Sequence, residues 1–382
     1  MSCVVFTGGG TAGHIYPGIA VAEALPQDVH LVWLGSCNGR DEAFVKNALP
    51  RIKFIPIPSG KYRRYFSVKS LFQNFVDLFK IGYAFVYCFF LLKKLKPSLL
   101  FSKGGFVSTP PCMAARILKI PVITHECDAS PGLATRLNAR FATKILTSYP
   151  ETKALFKAKY RNKVIYTGNP VRSFFSNADG KKTKDFLQIE VNRPILLILG
   201  GSLGAEQINS FIYENIEKLL ESFIVVHQTG ATNIERANSC LAELKAKNYK
   251  NAQFYLPKDF IKEELADLIF SASIVVSRSG SNTVWELASL GKAMILIPLE
   301  KGASRGDQVE NASYFSNKKA AIMLYGSESN STSFIKQVMK VHSDDVLLQS
   351  LGENAKMLAQ KDVALNIAKM IGEVISNNQD HI

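Results

Sequence analysis

Paired cysteines are absent from this chain of 382 residues. Its six cysteines are scattered, and no two of them form a CxxC pair. No group of cysteines and histidines has the spacing of a zinc site, which excludes a structural zinc of the common types. Unpaired thiols predict a reducing compartment. The chain enters an apolar run within its first six residues, which predicts no secretory signal peptide.

Long hydrophobic runs and two acidic signatures are also missing. The uncharged run Ile81–Leu92 is shorter than the roughly 20 residues that cross a bilayer. No acidic residue ends the second predicted strand, where Leu31 to Gly35 runs into Ser36, and this argues against a dehydrogenase. An Asp-x-Asp motif for a metal-bound sugar nucleotide is absent as well. We therefore expect neither a metal nor another cofactor.

Acidic residues are scarce in one block. The net charge is +14, and the stretch from Arg51 to Lys103 holds eleven basic residues against Asp77 alone, together with 13 aromatic residues. Nucleic acid could bind such a block. However, its apolar residues recur at helical spacing, which favours a helix lying on an anionic membrane surface. A core helix with solvated basic ends is the remaining alternative. The apolar stripe consists of Phe72, Phe75, Val76, Phe79, Tyr83, Val86, Tyr87 and Phe90.

Glycine loops after apolar strands are the most informative feature present. Thr7–His14, Ser102–Ser108 and Gly200–Ala205 each follow such a strand. A glycine turn between a strand and a helix lets backbone N–H groups approach an oxyanion. Three such turns, with one opening each half of the chain, indicate two nucleotide-binding-type domains.

Short apolar strands alternate with helical stretches throughout, which predicts an α/β fold with two parallel sheets. The polar stretch Ser176–Asn192 is predicted to be the linker, and Leu347–Ile375 is predicted to be helical. The predicted strands are Val4–Phe6, His30–Leu34, Phe54–Ile57, Leu99–Ser102, Val122–His125, Ile145–Thr147, Val164–Thr167, Ile195–Leu199, Ile224–His227, Gln253–Leu256, Ile274–Val276, Met294–Ile297 and Ala321–Leu324.

Polar side chains cluster at the predicted carboxyl ends of these strands. His14 closes the first glycine loop, where the positive end of a helix dipole favours a neutral imidazole that can accept a proton. His125 is expected to be packed and hydrogen-bonded, whereas Glu126 and Asp128 are candidates for contact with a substrate. In the second half, Glu286 lies one helical turn beyond a capping serine and could accept both hydroxyls of a ribose.

The motifs GGGTAGHIYPG, KGGFVS, HECD, GNPVR, GGSLGA, RSGSNTVWE and SRGDQVENA, in this order, resemble the MurG family of peptidoglycan synthesis. The resemblance covers nearly the whole chain. It implies the GT-B fold, with two Rossmann-like domains facing a central cleft. Residues 1–175 would bind the acceptor and the membrane, 190–350 would bind UDP-GlcNAc, and 351–382 would return to the first domain. The resemblance also implies a role in cell wall biogenesis, cell shape and cell division.

Matching positions to the family motifs gives a set of expected substrate contacts, most of them to the donor. They are Thr11, Ala12, Gly13, Asp128, Arg172, Ser202, Ile261, Arg278, Ser281, Asn282, Thr283, Val284, Trp285, Glu286 and Gln308. The resemblance implies that Ile261 packs beside the uracil, that Glu286 binds the ribose, and that Gln308 binds the hydroxyls of the sugar. The chain departs from the family at Cys127 and Asp128, where amides are usual, and at Leu203, where glutamine is common.

The implied reaction inverts the configuration at C1 of the transferred sugar. The C4 hydroxyl of the muramoyl residue, in a polyprenyl-diphosphate-linked acceptor, attacks GlcNAc C1, and UDP leaves. His14 is the favoured base, with Glu126 and Asp128 behind it. The protein would work at the cytoplasmic face of the cell membrane as a peripheral enzyme. There are two alternatives: another GT-B transferase that uses a different lipid, and a non-catalytic subunit that binds a sugar nucleotide. The presence of His14 together with Glu126 and Asp128 argues against a non-catalytic subunit.

Overall fold

The computed structural model describes residues 2–37, 41–60, 68–189, 192–201, 204–300 and 306–379. The chain divides into two compact units. One comprises Met1–Arg172 and Gln360–Ile382, and the other comprises Ser173–Ala359. Each unit is built around one parallel sheet covered by helices on both faces.

The first sheet contains β1 (Cys3–Thr7), β2 (His30–Ser36), β3 (Lys53–Ile57), β4 (Leu99–Ser102), β5 (Val122–Glu126), β6 (Lys144–Thr147) and β7 (Val164–Tyr166). The second contains β8 (Ile195–Leu199), β9 (Ile224–Gln228), β10 (Tyr255–Lys258), β11 (Ile274–Ser277), β12 (Ala293–Leu296) and β13 (Ile322–Met323). These strands agree closely with those predicted, because strands buried on both faces form continuous apolar runs.

The helices in chain order are α1 (Tyr16–Glu23), α2 (Asp41–Ala48), α3 (Val68–Leu95), α4 (Thr109–Ile117), α5 (Leu133–Asn138), α6 (Ser173–Ser176), α7 (Lys181–Leu187), α8 (Glu206–Ser222), α9 (Ile234–Ala246), α10 (Leu265–Ser271), α11 (Ser281–Ser289), α12 (Asp307–Asn317), α13 (Ser331–Ser343), α14 (Asp345–Leu358) and α15 (Val363–Gln379).

In the first unit the strand order is β3-β2-β1-β4-β5-β6-β7, and all pairs are parallel. Successive residues of β1 point to opposite faces. Val4 and Phe6 pack with residues of α1 and α15, whereas Val5 packs with residues of α3 and α4. Both faces are therefore closed by helices, which leaves the carboxyl ends of the strands for ligand-binding loops.

The second unit has the order β10-β9-β8-β11-β12-β13, again all parallel. The stretch predicted to be a linker contains α7, which packs against α10 and buries Thr183 and Leu187. The Asp267 carboxylate accepts the backbone N–H groups of Asp179 and Gly180, at 3.1 and 2.8 Å. The polar composition of this stretch did not predict α7, because the segment before this helix is held by the carboxylate of Asp267, which is distant in sequence.

The C-terminal region forms two helices rather than one continuous helix. α14 packs against β12 and α11 of the second unit, whereas α15 buries Ile367 and Ile371 in the core of the first. Asp362 lies between them with φ +53°. A left-handed residue cannot continue a helix, and aspartate adopts this conformation more readily than most residues.

The aromatic stripe of α3 faces solvent wherever the structure describes its side chains. Phe79, Tyr83 and Phe90 are 65%, 64% and 62% exposed, and Val86 and Tyr87 are also exposed. The opposite side of the helix buries Ala84, Cys88 and Leu92 in the core. The helix is thus a core helix on one side and an exposed aromatic surface on the other. The side chains of Phe72, Phe75 and Val76 lie outside the described residues.

Candidate active site

In both sheets the strand order reverses beside the first strand, between β1 and β4 and between β8 and β11. In open α/β sheets such a switch point is where ligands bind, beyond the carboxyl ends of the strands. All three glycine loops follow strands at these two points. Each unit therefore carries its own candidate half-site.

The first glycine loop is filled by a carboxylate of the protein itself. Gly10 has φ +85°, and its N–H donates to both oxygens of Asp41, at 3.0 and 3.2 Å. The same carboxylate accepts the Ser36 N–H at 3.0 Å. A Cβ on Gly9 would lie 2.0 Å from Asp41 Oδ2, so this close approach requires glycine. A substrate anion therefore cannot use the Gly10 N–H while Asp41 stays in place.

His14 closes a short 3₁₀ turn, Ala12–His14, and its N–H donates to the Thr11 carbonyl at 3.1 Å. Thr11 is exposed, and His14 is half-buried. A Cβ on Gly105 would lie 3.1 Å from His14 Cδ2 and 2.7 Å from the Gly9 carbonyl. The second glycine loop thus packs directly against the first, and the His14 ring lies at their junction.

His125 is fully buried, and both of its ring nitrogens are engaged. Lys103 Nζ donates to Nδ1 at 2.7 Å, and Nε2 donates to the Gly168 carbonyl at 3.1 Å. Burial, together with the nearby Lys103 ammonium, holds the pKa of His125 well below its usual range. A neutral, enclosed imidazole of this kind joins three loops and is not placed to take a proton from a substrate.

The Glu126 carboxylate is also engaged within the protein. Its two oxygens accept the backbone N–H groups of Asp128 and Gly132, at 3.1 and 2.9 Å. It thereby holds the loop that leads into α5. Cys127 and Asp128 are buried, and with Glu126 they form a group whose ligand atoms lie within 4.8 Å of one another. The hydrogen bonds to Glu126 give it a positioning role in this loop.

The segment from Gly168 to Arg172 contacts the start of α1 and the residue that follows β6. The Arg172 guanidinium lies over the Tyr16 ring, 4.5 Å from its centroid. Ser148 Oγ donates to Asn169 Oδ1 at 3.1 Å. Arg172 is thus placed beside the residues that follow His14, on the same unit as His14.

The third glycine loop begins the half-site of the second unit. Gly201 and Gly204 have φ of +78° and +79°, and a Cβ on Gly204 would lie 2.3 Å from the Thr229 carbonyl. Asn209 Nδ2 donates to the same carbonyl at 3.1 Å, which fixes the position of Thr229. Glycine is therefore required at Gly204. The predicted contact Ser202, and Leu203, lie outside the described residues.

α11 supplies the second element of this half-site. Its N-cap is Gly280, which has no side chain to cap the helix. Glu286 is 6% exposed and Ser281 is also buried, whereas Asn282 and Thr283 are partly exposed. Val284 and Trp285 were predicted contacts, but their side chains are buried in the core. Trp285 packs edge-on against Phe315, with ring centroids 5.0 Å apart. Only their backbone can face a ligand.

Arg278 lies just before α11 and Gln308 lies in the first turn of α12, and hydrogen bonds to neighbouring segments orient both side chains. Arg278 Nη1 donates to Gln207 Oε1 and to the Ile297 carbonyl, both at 2.9 Å. Burial lowers the pKa of its guanidinium, and Glu300 partly offsets this. Gln308 Oε1 accepts the Leu299 N–H at 3.1 Å, which orients the amide. None of the residues described accepts a hydrogen bond from the Gln308 amide NH₂, so that group can donate to a ligand.

Ile261 is buried, and its N–H donates to Gln228 Oε1 at 3.1 Å. That bond links β9 to the predicted uracil-binding segment. The adjacent Phe260 is 43% exposed and offers an apolar surface there.

Sequence reasoning missed Asp41, Lys103 and Gln207 as parts of these half-sites. Asp41 lies five residues beyond the end of β2, whereas a dinucleotide-binding site places its acidic residue at the strand end itself. Lys103 lies in a glycine motif and at the end of the basic block, and neither position predicts its hydrogen bond to His125. Gln207 lies in the first turn of α8, directly after the third glycine loop, and that position is the signal that could have predicted its role.

Two parallel-sheet units with glycine loops at their switch points match the GT-B fold, as predicted. Residues 4–147 match the glycosyltransferase family 28 N-terminal domain, and residues 195–369 match the glycosyltransferase family 28 C-terminal domain. The chain belongs to glycosyltransferase family 28.

Named relatives agree over nearly the full length. A Treponema denticola protein named UDP-N-acetylglucosamine–N-acetylmuramyl-(pentapeptide) pyrophosphoryl-undecaprenol N-acetylglucosamine transferase is 51% identical, over 96% of this chain and 94% of its own length. A Borreliella burgdorferi protein of the same name is 40% identical, over 96% of both chains. The crystal structure of Acinetobacter baumannii MurG superposes with a TM-score of 0.74 at 25% identity, covering 98% of this chain and 100% of that one. The predicted family resemblance is confirmed.

Proposed function

We propose that the protein transfers GlcNAc from UDP-GlcNAc to the C4 hydroxyl of the muramoyl residue in undecaprenyl-diphospho-MurNAc-pentapeptide. The product is the disaccharide-pentapeptide lipid used for peptidoglycan synthesis. The observation that carries the proposal is the match of both family 28 domains, together with two full-length relatives named for this reaction. The half-sites described above supply the chemistry that the reaction needs.

The second unit suits the donor. The N-terminus of α11 begins at a glycine cap, and the positive end of its dipole favours a diphosphate there. Glu286, one turn further along the helix, can accept the two ribose hydroxyls. The oriented Gln308 amide can donate to the hydroxyls of the sugar. Ile261 and Phe260 offer the apolar surface for uracil.

The first unit suits the acceptor. Of the three candidate bases, His14 lies at the junction of two glycine loops and is half-buried. Glu126 already accepts two backbone N–H groups, and Asp128 lies in the loop that Glu126 holds. His14 therefore takes the proton of the C4 hydroxyl as that oxygen bonds to GlcNAc C1. The bond from C1 to the UDP oxygen breaks, and the configuration at C1 inverts.

The growing negative charge of the leaving diphosphate is stabilised by the α11 N-terminus and the third glycine loop, with Arg278 of the same unit as a candidate cation. This arrangement needs no metal ion. Glu126, Cys127 and Asp128 could ligate one, but the Glu126 oxygens accept backbone N–H groups. We propose that turnover proceeds without a divalent cation.

The exposed aromatic stripe of α3 is proposed to lie on the membrane that holds the polyprenyl acceptor. Four exposed aromatic rings, those of Phe79, Tyr83, Tyr87 and Phe90, lie on successive turns of one side, and the last turn of the helix carries Lys93 and Lys94. Aromatic burial and basic attraction to anionic lipid act together at such a surface. Within the described part of the chain, no helix has the length and hydropathy to span a bilayer. The proposed location is the cytoplasmic face of the cell membrane.

One assay tests the reaction and separates the alternatives. Radiolabelled UDP-GlcNAc is incubated with a short-chain muramoyl-pentapeptide diphosphate lipid or with diacylglycerol, with and without excess EDTA. The expected result is labelled product from the muramoyl lipid only, at the same rate in EDTA. Label on diacylglycerol instead would favour a different lipid transferase. UDP-GlcNAc binding without product on either lipid would favour a non-catalytic subunit, and loss of turnover in EDTA that Mg²⁺ restores would contradict the metal-free account.

A further inference from the structure

His227 is the centre of a buried chain of hydrogen bonds in the second unit. It lies in β9, one residue before the end of the strand, and its side chain is buried together with those of Asn209 on α8 and Tyr255 on β10. The imidazole Nδ1 lies 3.0 Å from the Tyr255 hydroxyl, and Nε2 lies 3.0 Å from Asn209 Oδ1. Asn209 Nδ2 donates in turn to the Thr229 carbonyl at 3.1 Å. Three side chains from two strands and a helix therefore converge on one backbone carbonyl.

The amide of Asn209 determines where the proton of the imidazole lies. Because Asn209 Nδ2 donates to the Thr229 carbonyl, Oδ1 faces His227 and can only accept, so Nε2 must carry the hydrogen. Nδ1 then has a free lone pair and accepts the Tyr255 O–H. Burial lowers the pKa of His227 to about 3, which keeps the ring neutral at physiological pH. Every donor in the chain consequently points toward Thr229.

The end of this chain supports the third glycine loop. The Gly200 N–H donates to the Gln228 carbonyl at 3.1 Å, and a Cβ on Gly204 would lie 2.3 Å from the Thr229 carbonyl. Both ends of the loop thus rest on two successive carbonyls at the end of β9. A displacement of the Thr229 carbonyl would move the surface on which Gly204 packs.

The neighbouring side chain of Gln228 holds a different segment. Its Oε1 accepts the Ile261 N–H at 3.1 Å, in the segment predicted to contact uracil. Successive residues of β9 therefore support two parts of the donor half-site, with His227 directed to the glycine loop and Gln228 to the uracil segment. Loss of the His227 side chain should affect recognition of the phosphates without affecting recognition of the nucleoside.

We propose that His227 is a positioning residue for the donor diphosphate: through Asn209 and the Thr229 carbonyl it holds the third glycine loop in the conformation that receives the phosphates. His227 itself is buried and touches no substrate. The proposal rests on the proposed function for the identity of the ligand at this loop, but its test measures binding and not transfer.

The test compares the affinities of full-length variants for UDP, by calorimetry, and for uridine, by ligand-observed nuclear magnetic resonance. Uridine lacks both phosphates. His227→Phe removes the N–H donated to Asn209 and keeps a ring in the core. We expect it to weaken UDP binding about tenfold, the scale of one misplaced hydrogen bond, and to leave uridine affinity unchanged. Asn209→Leu removes the N–H donated to Thr229 and should behave in the same way, so it is the second variant if His227→Phe does not fold.

Two further variants of the same chain are the matched controls. Tyr255→Phe removes the other partner of the imidazole but leaves the bond from Nε2 to Asn209, so UDP affinity should remain that of the wild type. His227→Gln can place an amide N–H near the position of Nε2, and it should restore most of the UDP affinity that His227→Phe loses.

Wild-type UDP affinity in the folded His227→Phe and Asn209→Leu proteins would overturn the proposal. An equal loss of UDP and uridine affinity would also overturn it, because the whole half-site would then be disturbed. The same conclusion follows if Tyr255→Phe loses as much UDP affinity as His227→Phe. A wild type that binds UDP but transfers no GlcNAc would contradict the proposed function and leave the binding comparison intact, whereas a wild type that binds no UDP would contradict both.

Discussion

The carboxylate of Asp41 accepts the backbone N–H of Gly10, at 3.0 Å through one oxygen and 3.2 Å through the other. Asp41 is 2% exposed, so these bonds are shielded from water. In a nucleotide-binding domain, a phosphate commonly occupies the corresponding position of the glycine loop. Here the protein fills that position itself. The first unit is therefore expected to recognise its ligand through groups other than the Gly10 N–H.

Replacement of Asp41 by alanine tests this arrangement. The buried N–H groups of Gly10 and Ser36 would lose a charged acceptor, so the free energy of unfolding should fall by about 1.5–3 kcal/mol. Asp41→Asn keeps one acceptor oxygen and should lose less. A denaturant midpoint equal to that of the wild type would show that the carboxylate contributes nothing there.

Replacement of His14 and replacement of Glu126 should have different effects on kcat. Loss of a general base typically costs 10²–10⁴-fold in kcat, so His14→Ala should lose roughly that much with little change in the donor KM. Glu126→Gln keeps an oxygen for one of its two N–H donors, and it should retain more than about a tenth of wild-type kcat and an unshifted pH profile. Steady-state kinetics with a soluble acceptor measures both. If Glu126→Gln were the inactive variant, the base would have to be reassigned.

Glu286 carries the proposed recognition of the donor ribose. Glu286→Ala should weaken UDP binding by about 1–3 kcal/mol, the scale of lost hydrogen bonds to a charged group. Calorimetry with UDP measures this directly. Glu243→Ala, at an exposed position on α9 of the same unit, is the matched control and should bind UDP normally. A folded Glu286→Ala protein with wild-type UDP affinity would remove Glu286 from the site.

The central strands could be predicted from the sequence because they are buried on both faces, as in Ile195–Leu199, and such strands leave uninterrupted apolar runs. The solvent-facing stripe of α3 was likewise readable from its helical spacing. The role of Glu126 was not, since it depends on Gly132 turning back to meet the carboxylate. α7 was missed because Asp267, far away in sequence, holds the polar segment that precedes it. Long-range hydrogen bonds of this kind leave no periodic signal.

The exposed stripe of α3 should govern attachment to membranes without affecting the fold. Phe79→Ser with Phe90→Ser removes two rings that are 65% and 62% exposed, so stability should change little while vesicle binding falls. Val346→Ser with Met357→Ser, at exposed positions of the second unit, is the matched control and should bind vesicles normally. Sedimentation with anionic vesicles provides the measurement. Unfolding of the α3 variant would show instead that these rings belong to the core.

The structure of the reaction product tests the central claim most directly. Product made from UDP-GlcNAc and the short-chain muramoyl-pentapeptide lipid can be isolated and its new glycosidic bond assigned by nuclear magnetic resonance. The account predicts one added GlcNAc, β-linked to the C4 oxygen of the muramoyl ring, with one UDP released for each bond formed. An α-linked sugar, attachment at another hydroxyl, or UDP release without a new glycosidic bond would contradict it.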